Sequence, residues 1–481
     1  MPDSSTRRFL ALTTTLLALL AASTASADGQ DILPVGVGLA LEQARVPLDA
    51  VSIRVQPVDS AQPSLSVNAD TPMNPASVMK LVTAFAALER LGTTHTWQTR
   101  MATGAVLRNG VLEGDLYLIG GGDPVLAYER VWKLLRRLRA LGVSTVAGDI
   151  VLDGSALTLP PHDPNAFDGR GTRPYNSGPH GLLLHYNTLQ LALVPGRLAS
   201  EGVSVATEQP LDGVIIDNRL TTSGASCGIW YRDLEARIEP GRRLVLSGSL
   251  PASCGAQTWS AAPLPPADYG LALVEGLWKE LGGQVGGTVR TGVAVTSAQT
   301  LLSDDSPPLA DVVRDMNKWS SNVIARQLLA TLGATQPTPG VDMVAAGAQL
   351  AVGQLAAAGI DTRGLVIENG AGLSRIERIR ADSLAQLLLS AWQRPWMPEF
   401  IAALPVAGQD GTARRRLLDS PARGRAHIKT GTLNGVRAIA GYVLDRDGRR
   451  HVVVMMVNHS EAANTAAAQD ALLEWVWAGG H

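Results

Sequence analysis

Two residues near the start of the chain place a hydroxyl and an amine at a spacing that suits covalent catalysis. Ser77 and Lys80 both lie in the segment Asn-Pro-Ala-Ser-Val-Met-Lys, residues 74–80. Residues three positions apart share one face of a helix, so the two groups should lie side by side at a helix N-terminus. A serine can act as a nucleophile when an adjacent base takes its proton, and a neutral lysine can be that base.

The residues that follow Ser77 predict a buried helix. Residues 78–88 are apolar on nearly every side, and Gly92 is a suitable helix stop. Only five of the 41 basic residues are lysine: Lys80, Lys133, Lys279, Lys318 and Lys429. A desolvated lysine can lose its proton, whereas an arginine effectively cannot. We therefore interpret Lys80 as a catalytic residue rather than a background cation.

Composition limits the classes of function. The chain has 481 residues, enough for more than one domain, and a net charge of -2, which gives no indication of a nucleic-acid partner. The eight histidines are scattered, and no Cys/His cluster has metal-ligand spacing. We expect no metal and no other cofactor.

The N-terminus has the pattern of a secretory signal peptide over residues 1–27. Arg7 and Arg8 precede an apolar run, and Ala25-Ser-Ala27 offers a small-residue cleavage site. We expect export to the periplasm or the extracellular cell-wall space, without a transmembrane segment in the mature chain; an uncleaved anchor is the alternative. In that setting Cys227 and Cys254 could form a disulfide, and two free thiols are the other possibility.

The order of predicted elements indicates an α+β domain interrupted by an insertion. Strands are predicted at residues 51–57 near the start and at 426–431, 438–444 and 451–457 near the end, with helices between them. Residues 96–289 are instead rich in short strands and turns. We therefore divide the mature chain into residues 28–95, a β-rich insertion of 96–289 with two subdomains, and residues 290–481, which complete the first domain.

Two further motifs accompany Ser77 and Lys80. Ser320-Ser-Asn322 lies on a predicted loop between helices, and Lys429-Thr430-Gly431 lies on a predicted strand. The three motifs, in this order and on these elements, resemble those of serine β-lactamases and penicillin-binding proteins.

The long gap between Ser77 and Ser320 resembles one branch of that superfamily. The chain is similar to the class C low-molecular-mass penicillin-binding proteins, the D-alanyl-D-alanine carboxypeptidase/endopeptidase family, whose insertion lies between those two motifs. Residues 114–124, 316–322, 370–375 and 404–412 share the resemblance. Two positions depart from it: Ser321 replaces an acidic or amide residue, and Ala371 stands where a serine is usual.

The resemblance implies a transpeptidase-like domain, with an antiparallel sheet flanked by helices, that cleaves D-Ala-D-Ala in peptidoglycan stem peptides. Ser77 would form the acyl-enzyme and Lys80 would take its proton, with Lys429 as the cation that lowers the pKa of Lys80. Ser320 would relay a proton to the leaving group, and β-lactam antibiotics would be covalent inhibitors. The remaining implied roles are orientation of Lys80 by Asn322, an oxyanion hole from the Ser77 and Thr432 N–H groups, and substrate binding by Thr430, Gly431, Thr432 and Arg375.

Several alternatives stay open at this point. The chain could be a non-catalytic cell-wall-binding protein of the same fold, or a β-lactamase or esterase, although nothing resembles the deacylating glutamate of class A β-lactamases. Arg375 could form a surface salt bridge rather than contact substrate. Lys318 is interpreted as a local charge at a helix terminus.

Overall fold

The structure, a computed structural model, describes residues 33–337 and 340–480. The predicted signal peptide lies outside the described residues. No helix in the described ranges is long and apolar enough to cross a membrane.

The α-helices of the described residues are α1 (Val35–Gln43), α2 (Lys80–Leu91), α3 (Tyr128–Ala140), α4 (Pro266–Glu280), α5 (Leu309–Trp319), α6 (Asn322–Ala334), α7 (Met343–Ala357), α8 (Ala381–Trp392), α9 (Met397–Ala402) and α10 (Ala466–Trp477). The strands are β1 (Val51–Pro57), β2 (Leu65–Val67), β3 (Gln98–Thr103), β4 (Leu107–Arg108), β5 (Val111–Leu112), β6 (Leu116–Ile119), β7 (Thr145–Val146), β8 (Ile150–Asp153), β9 (Leu189–Val194), β10 (Ser204–Thr207), β11 (Ile215–Ser223), β12 (Leu234–Glu239), β13 (Arg243–Pro251), β14 (Gln257–Ala261), β15 (Gln284–Val285), β16 (Val289–Thr291), β17 (Gln299–Asp305), β18 (Ala426–Leu433), β19 (Val436–Leu444) and β20 (Arg450–Asn458).

A five-stranded antiparallel sheet brings together strands from near both ends of the chain. Its order is β18–β19–β20–β1–β2, and β1 pairs with β20 along its whole length, from Val51 opposite Val457 to Pro57 opposite His451. β18, which carries the Lys-Thr-Gly motif, is an edge strand. The strands predicted at both ends of the chain therefore form one sheet, and the predicted α+β fold class is confirmed.

Alternate residues of the central strands enter two different hydrophobic cores. On β20, Val454 belongs to the same hydrophobic core as Phe85 of α2 and residues of α5, α6 and α8. Its neighbour Val453 points to the other face, where α1 and α10 cover the sheet. Because side chains alternate across a strand, a sheet buried on both faces needs continuous apolar runs such as Val452–Val457. The catalytic-motif helix α2 lies on the first of these faces.

Residues between α2 and α5 form smaller sheets with cores of their own. Their strand orders are β10–β9–β14, β11–β13–β12, β15–β7–β5–β4 and β16–β8–β6–β3–β17. One core surrounds Tyr269 and Trp278, and another surrounds Leu246 and Trp259. Pairing of β17 with β3 continues this region through residue 305. The domain boundaries at 95/96 and 289/290 stay predictions.

The two cysteines lie in this β-rich region and form a disulfide. Cys227 and Cys254 are bonded across a Cα–Cα distance of 4.8 Å. The disulfide that the sequence favoured over two free thiols is therefore present.

Candidate active site

The residues before Ser77 hold it in a strained turn. Ala76 has a φ of 46°, a left-handed conformation that residues with a Cβ rarely adopt. Its N–H donates to Asn74 Oδ1 at 2.9 Å, and the Asn74 N–H donates to Asn458 Oδ1 of β20 at 2.8 Å. Ser77 lies in a 3₁₀ turn, and the α-helix predicted to begin at this serine begins at Lys80 instead. Anchoring to the sheet keeps this turn in place.

Lys80 is fully buried, and within the described residues its Nζ contacts only neutral oxygen atoms. Its Nζ donates to Ser77 Oγ at 3.0 Å, to Asn322 Oδ1 at 2.7 Å and to the Ala371 carbonyl. Burial, followed by the charge of Lys429, lowers the pKa of Lys80 well below its ordinary value, against an opposing effect of Glu377. A neutral amine next to a serine hydroxyl can accept its proton.

Ser320 and Lys429 form the second hydroxyl–amine pair of the site. Ser320 follows α5 in a left-handed conformation, with φ 58°. This turn presents its hydroxyl to Lys429 Nζ, which donates to Ser320 Oγ at 2.9 Å and to the Thr430 carbonyl at 2.8 Å. Burial lowers the pKa of Lys429 to about 7. A group with that pKa can hold or release a proton near neutral pH.

Gly431 lets strand β18 approach the Ser77 turn closely. A Cβ at this position would lie 2.5 Å from the Pro75 carbonyl oxygen and 3.2 Å from the Ser77 nitrogen. No other side chain fits there without movement of the backbone. Ser77, Ser320, Thr430, Gly431 and Thr432 consequently line one cavity of about 520 Å³.

The structure places Arg375 apart from this cavity. It lines a second groove, of about 530 Å³, between residues 160–179 and residues 368–376. Its guanidinium lies 4.8 Å from the Phe167 ring centre and donates to the Asn434 carbonyl at 3.2 Å. In the described part of the chain it makes no salt bridge. The alternative role of Arg375 in a surface ion pair is therefore not supported, and its contact with substrate stays a prediction.

The two departures from the family pattern have structural explanations. Ser321 is the N-cap of α6, and its hydroxyl accepts from the Ile324 N–H at 3.3 Å. Aspartate, asparagine and serine are all good N-caps, so the serine keeps that role. Ala371 meets Lys80 through its main-chain carbonyl, which any residue would supply.

Sequence reasoning missed groups that act through contacts distant in the chain. Glu377 is buried, and its Oε1 accepts the N–H groups of Glu368, Asn369 and Gly370, which shapes the turn that carries the Ala371 carbonyl. Burial raises the pKa of Glu377. Thr412 Oγ1 accepts from Thr430 Oγ1 at 2.8 Å. The resemblance of residues 404–412 to the family included Thr412 without indicating its hydrogen bond, whereas Glu377 lies just outside the similar segment 370–375.

Comparisons with known proteins identify the family of this chain. Residues 37–478 match the D-Ala-D-Ala carboxypeptidase 3 (S13) family. A D-alanyl-D-alanine carboxypeptidase of Actinomadura sp. (strain R39) is 32% identical over 422 residues, which are 83% of this chain and 76% of the relative. The D-alanyl-D-alanine carboxypeptidase DacB of Haemophilus influenzae is 24% identical over 399 residues, 81% of each chain.

A solved structure shows the same fold. The crystal structure of penicillin binding protein 4 (dacB) from Haemophilus influenzae superposes with a TM-score of 0.77 at 23% identity, covering 92% of this chain and 100% of the other. The predicted family, its fold and its serine DD-peptidase class are confirmed. The chain belongs to the D-Ala-D-Ala carboxypeptidase 3 (S13) family of peptidases.

Proposed function

We propose that this protein cleaves the terminal D-Ala-D-Ala amide of peptidoglycan stem peptides through an acyl-enzyme on Ser77. The observation that carries the proposal is the position of Lys80 Nζ between Ser77 Oγ and Asn322 Oδ1, at 3.0 and 2.7 Å. The amine is desolvated and faces a second cation, so it can take the serine proton as Oγ attacks the carbonyl carbon.

The remaining roles follow from the same arrangement. The N–H groups of Ser77 and Thr432 would stabilise the oxyanion, an interaction typically worth about 3–4 kcal/mol per donor. Ser320, held by Lys429, would pass a proton to the leaving nitrogen as the amide C–N bond breaks. Thr430 and Thr432 would bind the terminal carboxylate beside Lys429, and water would then hydrolyse the ester on Ser77. A β-lactam would acylate Ser77 in the same way.

Mass spectrometry after incubation with benzylpenicillin tests the nucleophile. We expect one covalent adduct, located on the peptide that contains Ser77, together with release of D-alanine from a synthetic pentapeptide. The Ser77→Ala variant should show neither. Wild-type protein that stays unmodified under saturating drug would refute the proposal, and binding of sacculi without turnover would favour the non-catalytic alternative. Rapid nitrocefin turnover would favour a β-lactamase.

Adjacent serines provide a matched test of the proton relay. Ser320→Ala removes the hydroxyl that Lys429 contacts, and we expect about a hundredfold loss of acylation rate. Ser321→Ala removes only the α6 cap, at a cost of about 1 kcal/mol in the free energy of unfolding. Equal acylation rates in the two variants would remove Ser320 from the mechanism.

We also propose that the protein works outside the cytoplasm. The signal-peptide pattern of residues 1–27 supports this, as does a substrate that belongs to the cell wall. N-terminal sequencing of the exported protein should begin at Asp28. A protein that stays in the cytoplasmic fraction with residues 1–27 attached would contradict export.

A further inference from the structure

The cavity that contains Ser77 continues beyond the Lys-Thr-Gly strand into a region rich in guanidinium groups. Its charged lining there consists of Arg415, Arg416 and Arg437, with Asp470 of α10. Three cations therefore face one carboxylate among the residues that line this end of the cavity.

Arg416 and Asp470 neutralise each other. Arg416 Nη2 lies 2.6 Å from Asp470 Oδ1, and its Nη1 donates to Gln469 Oε1 at 2.9 Å. This network joins α10 to the segment that follows Thr412. Arg416 is therefore part of the wall and has little capacity left for a ligand.

Arg415 and Arg437 are different, because neither makes a side-chain hydrogen bond or a salt bridge within the described residues. Arg415 is exposed. Arg437 is half-buried and lies directly opposite Thr432 in the β18–β19 hairpin. Burial, and then the charge of Arg416, lower the pKa of Arg437, against an opposing effect of Asp470. A partly desolvated cation that makes no salt bridge of its own favours an anionic ligand.

We propose that Arg415 and Arg437 form a subsite for a second carboxylate on the leaving group of the substrate. The inference rests on the proposed function, which places the first carboxylate at Thr430 and Thr432. A leaving D-alanine carries only that carboxylate. An acidic D-amino acid, or a diamino acid of a cross-linked peptide with a further carboxylate, would also reach the two arginines.

The reaction itself is unchanged by the additional charge. Ser77 Oγ bonds to the carbonyl carbon, the amide C–N bond breaks, and the leaving nitrogen takes a proton through Ser320. The amine departs with both carboxylates intact, and water hydrolyses the acyl-enzyme. The subsite would favour this leaving group by binding it before and during cleavage.

Two synthetic peptides that differ by one charge test the subsite. They end in D-Ala-D-Glu and D-Ala-D-Gln, so their leaving groups have nearly the same size. For the wild-type enzyme we expect kcat/KM to be about tenfold higher for the D-Glu peptide. The preference should decrease as salt is added, because Arg415 is exposed.

Arginine variants assign the preference to residues. We expect the ratio of the two kcat/KM values to fall to about one in the Arg415→Gln/Arg437→Gln double variant. Arg446→Gln changes an exposed arginine in the β19–β20 turn and should keep the wild-type ratio. The single Arg415→Gln variant should give an intermediate ratio, and formation of the benzylpenicillin adduct on Ser77 reports that each variant has folded.

Equal wild-type values for the two peptides, or a ratio that survives in the double variant, would overturn the subsite while leaving the DD-peptidase proposal intact. If the proposed function itself were wrong, we would instead observe no penicillin adduct on Ser77 and no cleavage of any peptide.

Discussion

Lys80 and Lys318 are both buried lysines on helices, yet their surroundings treat the charge in opposite ways. Lys318 Nζ lies 2.6 Å from Asp410 Oδ2 and donates to the Leu404 carbonyl at 2.7 Å. In the part of the chain that the structure describes, the hydrogen-bond partners of Lys80 are all neutral oxygen atoms, and another cation lies nearby. A carboxylate partner favours the charged form of an amine, whereas burial beside a cation favours the neutral form. For Lys80, burial is the larger cause of the lowered pKa, and the charge of Lys429 adds to it. A buried lysine is therefore suited to act as a base when no carboxylate contacts its Nζ.

The largest effect should come from replacing Lys80 by arginine, with the same replacement at Lys318 as the matched control. Lys80→Arg keeps a cation that cannot give up its proton, so we expect acylation by benzylpenicillin to slow by about 10³–10⁴-fold. Lys318→Arg can keep an ion pair with Asp410 and should stay close to the wild-type rate. Stopped-flow acylation measures both, and equal losses would show that Lys80 is not the base.

The pH dependence should separate Lys80 from the third buried lysine, Lys429. We expect the rate to rise with pH as Lys80 loses its proton, and to fall above about pH 7 as Lys429 loses the charge that is proposed to attract the substrate carboxylate. On the falling limb kcat/KM drops about tenfold per pH unit. Lys429→Arg stays charged, so its falling limb should move to higher pH. If the falling limb lay at the same pH in the wild type and in Lys429→Arg, the limb would belong to a group other than Lys429.

Removing the ion pair of Lys318 should lower stability rather than acylation. Burial raises the pKa of Asp410, but the Lys318 ammonium and the Val406 N–H outweigh it and hold that pKa below its ordinary value. Its stabilising effect is therefore present at neutral pH and lost as pH falls and Asp410 takes a proton.

We expect Lys318→Met to lower the free energy of unfolding by about 1–2 kcal/mol at pH 7, since Asp410 is partly exposed. Thermal unfolding at pH 7 and at about pH 3, below the ordinary aspartate pKa, should show that the deficit shrinks in acid. A deficit that does not change with pH would point to lost packing instead of a lost ion pair.

The smallest effect concerns the hydroxyl pair that orients Thr430. Thr412→Val removes the acceptor of the 2.8 Å hydrogen bond from Thr430, and we expect kcat/KM for the pentapeptide to fall about two- to tenfold. Thr412→Ser should recover most of the loss because it restores the hydroxyl. If serine and valine behaved alike, shape rather than hydrogen bonding would matter at this position.

Local relations were accessible from the sequence. The contact between Ser77 and Lys80 depends on a spacing of three residues within one turn, and it holds even though that turn is 3₁₀ rather than α-helical. The strand predicted at residues 51–57 has the same bounds as β1, because the alternation of apolar residues is a property of the segment itself.

Atoms that meet across the chain were decided by tertiary structure alone. The Ala371 carbonyl that contacts Lys80 follows a turn held by Glu377, and Arg437 lines the cavity where β19 pairs with β18 opposite Thr432. Arg375 is the opposite case. Its segment resembles the family and suggested contact with substrate, but its side chain lines a separate groove. Residue types and short-range spacing were enough to predict the family, the three motifs and the elements that carry them. Which neutral oxygens surround Lys80, and which cations extend the cavity, depend on packing between distant segments, and no local pattern encodes that.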